Sequence, residues 1–149
     1  MNTPTPCSGS SLGLLFRQVR DAMWARMARE LADAGHDLSF SQYITIKKLA
    51  EGSQGASELA RAAELNPGAM TRLLDKLEAR GLLARNADPA DRRALVIELT
   101  DAGRRLWVDV NECGARVREQ AMKDMDADEQ AQLLALLVRV RDNLTAYGA

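Results

Sequence analysis

The residues in this chain whose types and spacing suit chemistry are cations and small polar groups on one helix face, rather than nucleophiles or metal ligands. From Asn66 to Lys76 the sequence reads NPGAMTRLLDK, and Met70, Leu73, Leu74 and Leu77 recur at the spacing of a single apolar helix face. That face turns Gly68, Thr71, Arg72, Asp75, Lys76 and Ala79 outward. Asn66 suits the helix cap and Pro67 the first helical position, where a missing N–H costs nothing. Gly81 ends the helix. Gly68 and Ala69 are small enough for the helix to approach base edges and thymine methyls, while Thr71, Arg72 and Lys76 supply polar contacts at helical spacing. The plainer alternative is a solvated helix face. Asp75 counts against a nucleic-acid surface unless Arg72 or another neighbour pairs with it.

A second cluster follows in the polar stretch NADPADRR, residues 86–93. Arginine at a loop tip suits the narrow, negative minor groove because guanidinium is weakly hydrated; the alternative is a solvated turn. Asp91 would be counterproductive in a simple phosphate clamp and makes sense as an orienting partner beside Arg92 and Arg93. Lys76, Arg80 and Arg85 fit backbone contacts or salt bridges better than base readout.

The remaining reactive residue types carry less. Cys113 lies on an apolar helical stripe, the setting of a buried structural thiol, and Cys7 lies in a polar arm. A disulfide between them is not expected in a reducing compartment. The one histidine, His36, stands beside Asp37 with no metal-ligand spacing around it. Trp24, His36 and Tyr43 are candidates to line a small-molecule pocket, and each of the two aromatics suits a core position equally well. No nucleophile elbow, phosphate-cradling glycine loop or cluster of titratable groups supports an enzyme, and no cofactor is expected.

The elements that must position these residues are mainly helical. Residues 1–10 read as a loose arm. From Ser11 a stripe of Leu12, Leu15, Phe16, Val19, Met23, Met27 and Leu31 marks a long helix, with Gly35 as its stop. So long a helix has too little chain nearby to cover it, which points to a partner subunit. Ser39 and Gln42 form an S-x-x-Q capping box, with Leu38 placed to staple against Tyr43. The helix they open buries Phe40, Tyr43, Ile44, Ile46 and Leu49. A short helix from Ser57 carries Leu59, Ala60 and Ala63, and Leu65 to Gly68 turns the chain into the outward-facing helix. Two short helices joined by a tight turn are a helix-turn-helix. Leu82–Arg85 and Ala94–Leu99 then read as two short strands, the second alternating Leu95, Ile97 and Leu99 with the other face. A hairpin in that place is a wing. Thr100 caps another long helix bearing Leu106, Val110, Cys113 and Val117, and Asp126 with Glu129 resembles a capping box for a last one bearing Leu133, Leu137, Val140 and Leu144.

Composition permits this reading without deciding it. The 149 residues carry a formal net charge of −1, which does not suggest a nucleic-acid binder. Residues 61–105, however, hold nine basic against seven acidic side chains, and residues 106–149 five against eight. Only local positive charge near phosphates is needed. No apolar run approaches the roughly 20 residues of a membrane span. The first residues lack the pattern of a secretory signal, so the expected location is the cytoplasm.

The run from Ser57 to Leu106 resembles the MarR family of bacterial winged-helix transcriptional regulators. The resemblance rests on Glu58-Leu59-Ala60, Met70-Thr71-Arg72-Leu73-Leu74-Asp75 and Leu77-Glu78-Ala79-Arg80-Gly81-Leu82. It continues through Arg85, the wing Asp88-Pro89-Ala90-Asp91-Arg92-Arg93, and Leu99-Thr100-Asp101-Ala102-Gly103. It implies a mainly α fold with a small β-hairpin wing, in one domain spanning residues 1–149. Residues 38–100 would form the winged helix-turn-helix, and residues 11–35 and 101–147 the helical dimerisation region. It further implies a homodimer on a pseudo-palindromic operator of double-stranded DNA. The fourth helix would enter the major groove and Arg93, held by Asp91, the minor groove. The candidate DNA contacts are Asn66, Pro67, Gly68, Ala69, Thr71, Arg72, Lys76, Asp91, Arg92 and Arg93. Many relatives are repressors released by a small aromatic acid or phenol bound between the dimerisation helices and the winged helix. Redox-sensing relatives carry a reactive cysteine near the start of the first helix with tyrosines nearby; here no tyrosine precedes Tyr43 and nothing basic precedes Arg17. The other alternative is a winged helix used only for protein association, which would need neither Arg93 at the wing tip nor an open groove-reading face.

Overall fold

Caps decide where the helices begin. In the computed structural model, which describes residues 9–148 with side chains from Ser11 onward, the order is α1 (Gly9–Asp33), α2 (Phe40–Glu51), α3 (Ala56–Ala63), α4 (Pro67–Ala79), β1 (Leu83–Ala87), β2 (Leu95–Leu99), α5 (Asp101–Ala121) and α6 (Ala127–Ala146). The architecture is mainly α with a two-stranded antiparallel wing, as the sequence implies. Cys7 and most of the expected N-terminal arm lie outside the described residues. The first helix begins at Gly9 rather than Ser11.

At α2 the capping box forms in full. The Gln42 amide N–H donates to Ser39 Oγ at 3.2 Å, and the Ser39 N–H donates to Gln42 Oε1 at 3.0 Å. Two otherwise orphaned donors are thereby satisfied. The third helix starts one residue before the expected Ser57, because the Gly55 N–H donates to the Glu58 carboxylate at 2.9 Å. Asn66 caps α4 by accepting from the Ala69 N–H at 2.8 Å. Glu64, between α3 and α4, has φ 56°, a left-handed conformation that reverses the chain in a tight turn.

The strands are displaced from the expected positions. Leu82 precedes β1, and Asn86 and Ala87 belong to it, pairing with Val96 and Leu95. The wing loop is accordingly shorter than NADPADRR. Leu95, expected to face inward, is 54% exposed at the wing tip, while Ile97 and Leu99 are buried. Ile97 also exchanges two backbone hydrogen bonds with Gln54, of 2.9 and 3.0 Å, so the α2–α3 linker adds a bridge to the far side of β2.

The chain divides into two compact units, one ending at Val117 and the other beginning at Arg118. In the first, Leu31, Ile46, Leu59, Met70, Leu77, Ile97, Val110 and Cys113 are fully buried, each large aliphatic side chain contributing roughly 1.5–3 kcal/mol on burial. Thr45, which the apolar pattern of α2 passes over, is buried too; its hydroxyl donates to the Ser41 carbonyl at 2.8 Å, which removes the cost of hiding it. The hairpin is locked to α5 at Thr100, whose hydroxyl donates to the Gly81 carbonyl and accepts from the Gly103 N–H. Gly103 is required there, since a Cβ would overlap the Leu82 carbonyl. Along α1, by contrast, Leu12, Leu15, Phe16, Val19 and Met23 are all more than a third exposed, and only Met27 and Leu31 of the stripe are buried. In the second unit, α6 is opened by an Asp126–Glu129 capping box, and Leu134, Leu137 and Leu144 are exposed.

Candidate nucleic-acid interface and cavity

Helix α4 buries Met70, Leu73, Leu74 and Leu77 and leaves Gly68, Thr71, Arg72, Asp75 and Lys76 exposed. The Thr71 hydroxyl donates to the Pro67 carbonyl at 2.9 Å. Its proton is thus engaged within the helix, and what it offers outward is an acceptor lone pair and a methyl group. Arg72 and Lys76 take part in no ion pair among the described residues. The one carboxylate on this face, Asp75, is bound at 2.7 Å by Arg85 of β1, whose guanidinium also lies 3.9 Å from Glu78. The Asp75 partner is therefore a strand residue and not Arg72.

At the wing tip the carboxylates are engaged by nearby backbone N–H groups. Asp88 Oδ1 accepts from the Ala90 N–H at 2.9 Å, and Asp91 Oδ1 accepts from the Arg93 N–H at 3.0 Å. Asp91 consequently holds Arg93 through its backbone rather than through its guanidinium. The side chains of Arg92 and Arg93 are exposed and enter no ion pair among the described residues. Arg80, the other candidate support, donates to the Asp37 carbonyl at 3.1 Å. The outcome is a surface on which Asp75, Asp88 and Asp91 are each engaged by a neighbouring donor, while Arg72, Lys76, Arg92 and Arg93 enter no ion pair among the described residues.

A cavity of about 390 Å³ lies on the other side of α2, lined by Phe16, Val19, Arg20, Met23, Trp24, Met27, Phe40, Tyr43, Gly114 and Val117. The Trp24 ring stands edge-on to Phe40 at 5.1 Å and tilted to Tyr43 at 5.8 Å, the arrangement aromatic quadrupoles favour. Burial raises the Tyr43 phenol above its ordinary pKa, so its O–H stays available as a donor. Of the three expected pocket residues, Trp24 and Tyr43 line this space and His36 does not. His36 Nε2 instead faces Asp109 at 3.4 Å, drawn there by a carboxylate that only the fold brings near. Sequence reasoning passed over Phe40, Arg20 and the α5 residues; the aromatic at the start of α2 was the available signal.

Cys113 is fully buried against the Glu30 carbonyl, with Arg116 Nη2 3.2 Å from its sulfur. Burial pushes its thiol up, outweighing the pull of Arg116. That is the opposite of the depressed, accessible thiolate of a redox sensor. Among the described residues no helix is long and apolar enough to cross a membrane.

The helix-turn-helix, the wing and the free cations define a winged-helix DNA-binding transcriptional regulator. Comparison with known proteins gives the family: residues 41–95 match the MarR family model, and the chain belongs to that family. It is 27% identical over 143 residues to the transcriptional repressor NicR of Pseudomonas putida, covering 95% of this chain and 89% of NicR. It is similar to the crystal structure of the transcriptional regulator PA3341, with 34% identity, a TM-score of 0.80, and 91% and 98% of the two chains covered. It also resembles NadR, solved in complex with 4-hydroxyphenylacetate, at 25% identity and a TM-score of 0.73, over 94% and 97% of the chains. The family consists of transcriptional regulators, which are not enzymes.

Proposed function

We propose that the protein is a homodimeric repressor that binds a pseudo-palindromic operator and releases it when a small aromatic acid or phenol occupies the Trp24–Tyr43 cavity. The observation that carries this reading is the division of charge on the exposed face. Asp75, Asp88 and Asp91 are each engaged by a donor of the same chain, whereas Arg72, Lys76, Arg92 and Arg93 enter no ion pair among the described residues and can meet phosphates and bases. Residues 38–100 act as the reader, and residues 11–35 with 101–147 as the dimerisation region. In the reader, the turn Asn66–Pro67 and the small residues Gly68 and Ala69 bring α4 into the major groove beside Thr71, and Arg93 enters the minor groove with Arg92 near the backbone. The protein works in the cytoplasm, where its DNA is. Relatedness to a repressor, NicR, and to NadR with its phenolic acid supports the sign of regulation and the effector class.

The test is operator binding by fluorescence anisotropy, using a duplex selected from a random pool. Arg93→Ala is expected to weaken binding at least about tenfold with the dimer intact. Unchanged affinity would refute the wing assignment. Titration with 4-hydroxyphenylacetate is expected to quench the fluorescence of Trp24 and to lower DNA affinity; the same quenching in Trp24→Phe, where Trp107 alone fluoresces, would remove the cavity from the mechanism.

A further inference from the structure

Helix α5 turns one face inward, and that face has a gap in it. Val110, Cys113 and Val117 are buried at helical spacing. Gly114 lies on the same side, four residues after Val110 and three before Val117. Glycine in the interior of a 21-residue helix is unfavourable, because it loses the most backbone freedom on folding and packs no side chain. A close approach can require it all the same, as at Gly103 of this helix, where a Cβ would overlap the Leu82 carbonyl. At Gly114 a Cβ would meet nothing within 4 Å. Among the described glycines positive φ is confined to Gly35, Gly52 and Gly81, so the backbone at Gly114 does not call for glycine either. In an interior that is otherwise close-packed, the gap is unfilled by the chain's own side chains.

Gly114 instead forms part of the wall of the Trp24–Tyr43 cavity. The rest of that wall is mostly apolar, with Met23, Met27 and Phe40 beside the two rings, and its polar groups are the Arg20 guanidinium and the Tyr43 hydroxyl. Such a lining suits a flat ring that carries one acidic group. We infer that Gly114 sets the depth of this cavity, its missing side chain keeping open the space that the ring of a longer aromatic acid fills. The inference rests on the effector reading and adds to it the residue that decides ligand size. A volume of about 390 Å³ is near the lower end for small-molecule sites, so one methyl group in the wall is felt.

The experiment compares full-length wild type and Gly114→Ala with benzoate, 4-hydroxyphenylacetate and 2-naphthoate by isothermal titration calorimetry. Circular dichroism melts and analytical ultracentrifugation are run on both proteins without ligand. Unliganded Gly114→Ala is expected to keep the oligomeric state of wild type and to melt about 2–4 °C higher, since alanine favours the helix and enters open space. A lower melting temperature, or dissociation, would show that the folded assembly already fills this space, and would overturn the inference. With ligand, Gly114→Ala is expected to bind the two longer acids at least about tenfold more weakly and benzoate within about threefold of wild type. Equal losses for all three acids, or no loss for any, would overturn the assignment while leaving the effector reading intact. Wild type that binds none of the three would sink the effector reading, and this inference with it.

Discussion

Arg85 decides the sign of the surface that α4 presents. Its guanidinium lies 2.7 Å from Asp75 and 3.9 Å from Glu78, so the one carboxylate on the face that would meet phosphate, Asp75, is paired with a strand residue. Removing it should act on DNA binding through Asp75. Arg85→Gln is expected to weaken operator affinity about threefold to tenfold, the scale of an exposed charge pair lost beside an anion. Adding Asp75→Asn should restore most of the loss, because the exposed carboxylate is then gone. If Arg85→Gln weakens binding and the second change restores nothing, Arg85 contacts DNA directly and the screening argument is wrong. This pairing was open in the sequence, where Asp75 needed a partner but the choice between Arg72 and another residue depended on how the wing folds back. The same holds for His36: its type suggested a pocket, yet its partner, Asp109 of α5, lies 73 positions away. For Cys113 the helical stripe alone was enough, since burial follows from periodicity.

Among the elements, the first turn of α2 stands between the two functional surfaces. Phe40 lines the cavity beside Trp24, while Ser39, Ser41 and Gln42 line a groove beside Arg72 and Lys76. A ligand that displaces the Phe40 ring moves the backbone that carries the other three. Phe40→Leu, which keeps the position apolar but removes the ring, should therefore leave effector binding within about tenfold of wild type and blunt the effector-induced loss of DNA affinity. Release identical to wild type at saturating effector would mean that the turn carries no coupling. This turn was half legible beforehand. Its capping box is a local signal, set by Ser39 and Gln42 three residues apart, and local signals also placed Asn66, Thr100 and the Asp126–Glu129 box. The wing was less well placed, because short strands take their ends from pairing rather than from composition. Nothing near Ala87 in sequence says that Leu95 will face it, or that Gln54 will close the other edge of β2. Gly103 likewise reads as an unfavourable helix residue until the Leu82 carbonyl is seen against it.

At the scale of the whole molecule, the unanswered apolar surface is the long stripe on α1. Leu12, Leu15, Phe16, Val19 and Met23 follow helical spacing and stay exposed in a single chain, although contiguous apolar patches of that kind ordinarily mark an interface. The proposed second copy covers them and also fixes the separation of two recognition helices, about one DNA turn or 34 Å. One winged helix has a small local charge excess and modest affinity; two at the right spacing bind as one unit, with avidity about 10²–10⁴ beyond a single contact. An effector then needs only to favour a dimer with the wrong spacing, and the loss of affinity equals its preference for that state. Two consequences can be measured together. The melting temperature of wild type should rise with protein concentration, as it does when folding and association are linked. Leu15→Glu, which puts a charge into the stripe, should shift the protein toward monomer in analytical ultracentrifugation and cost operator binding on the order of a hundredfold. Its effect on affinity for a single half-site should be slight, since Leu15 is remote in sequence from every DNA contact. A Leu15→Glu protein that remains dimeric with full operator affinity would show that this stripe is not the surface that sets the spacing.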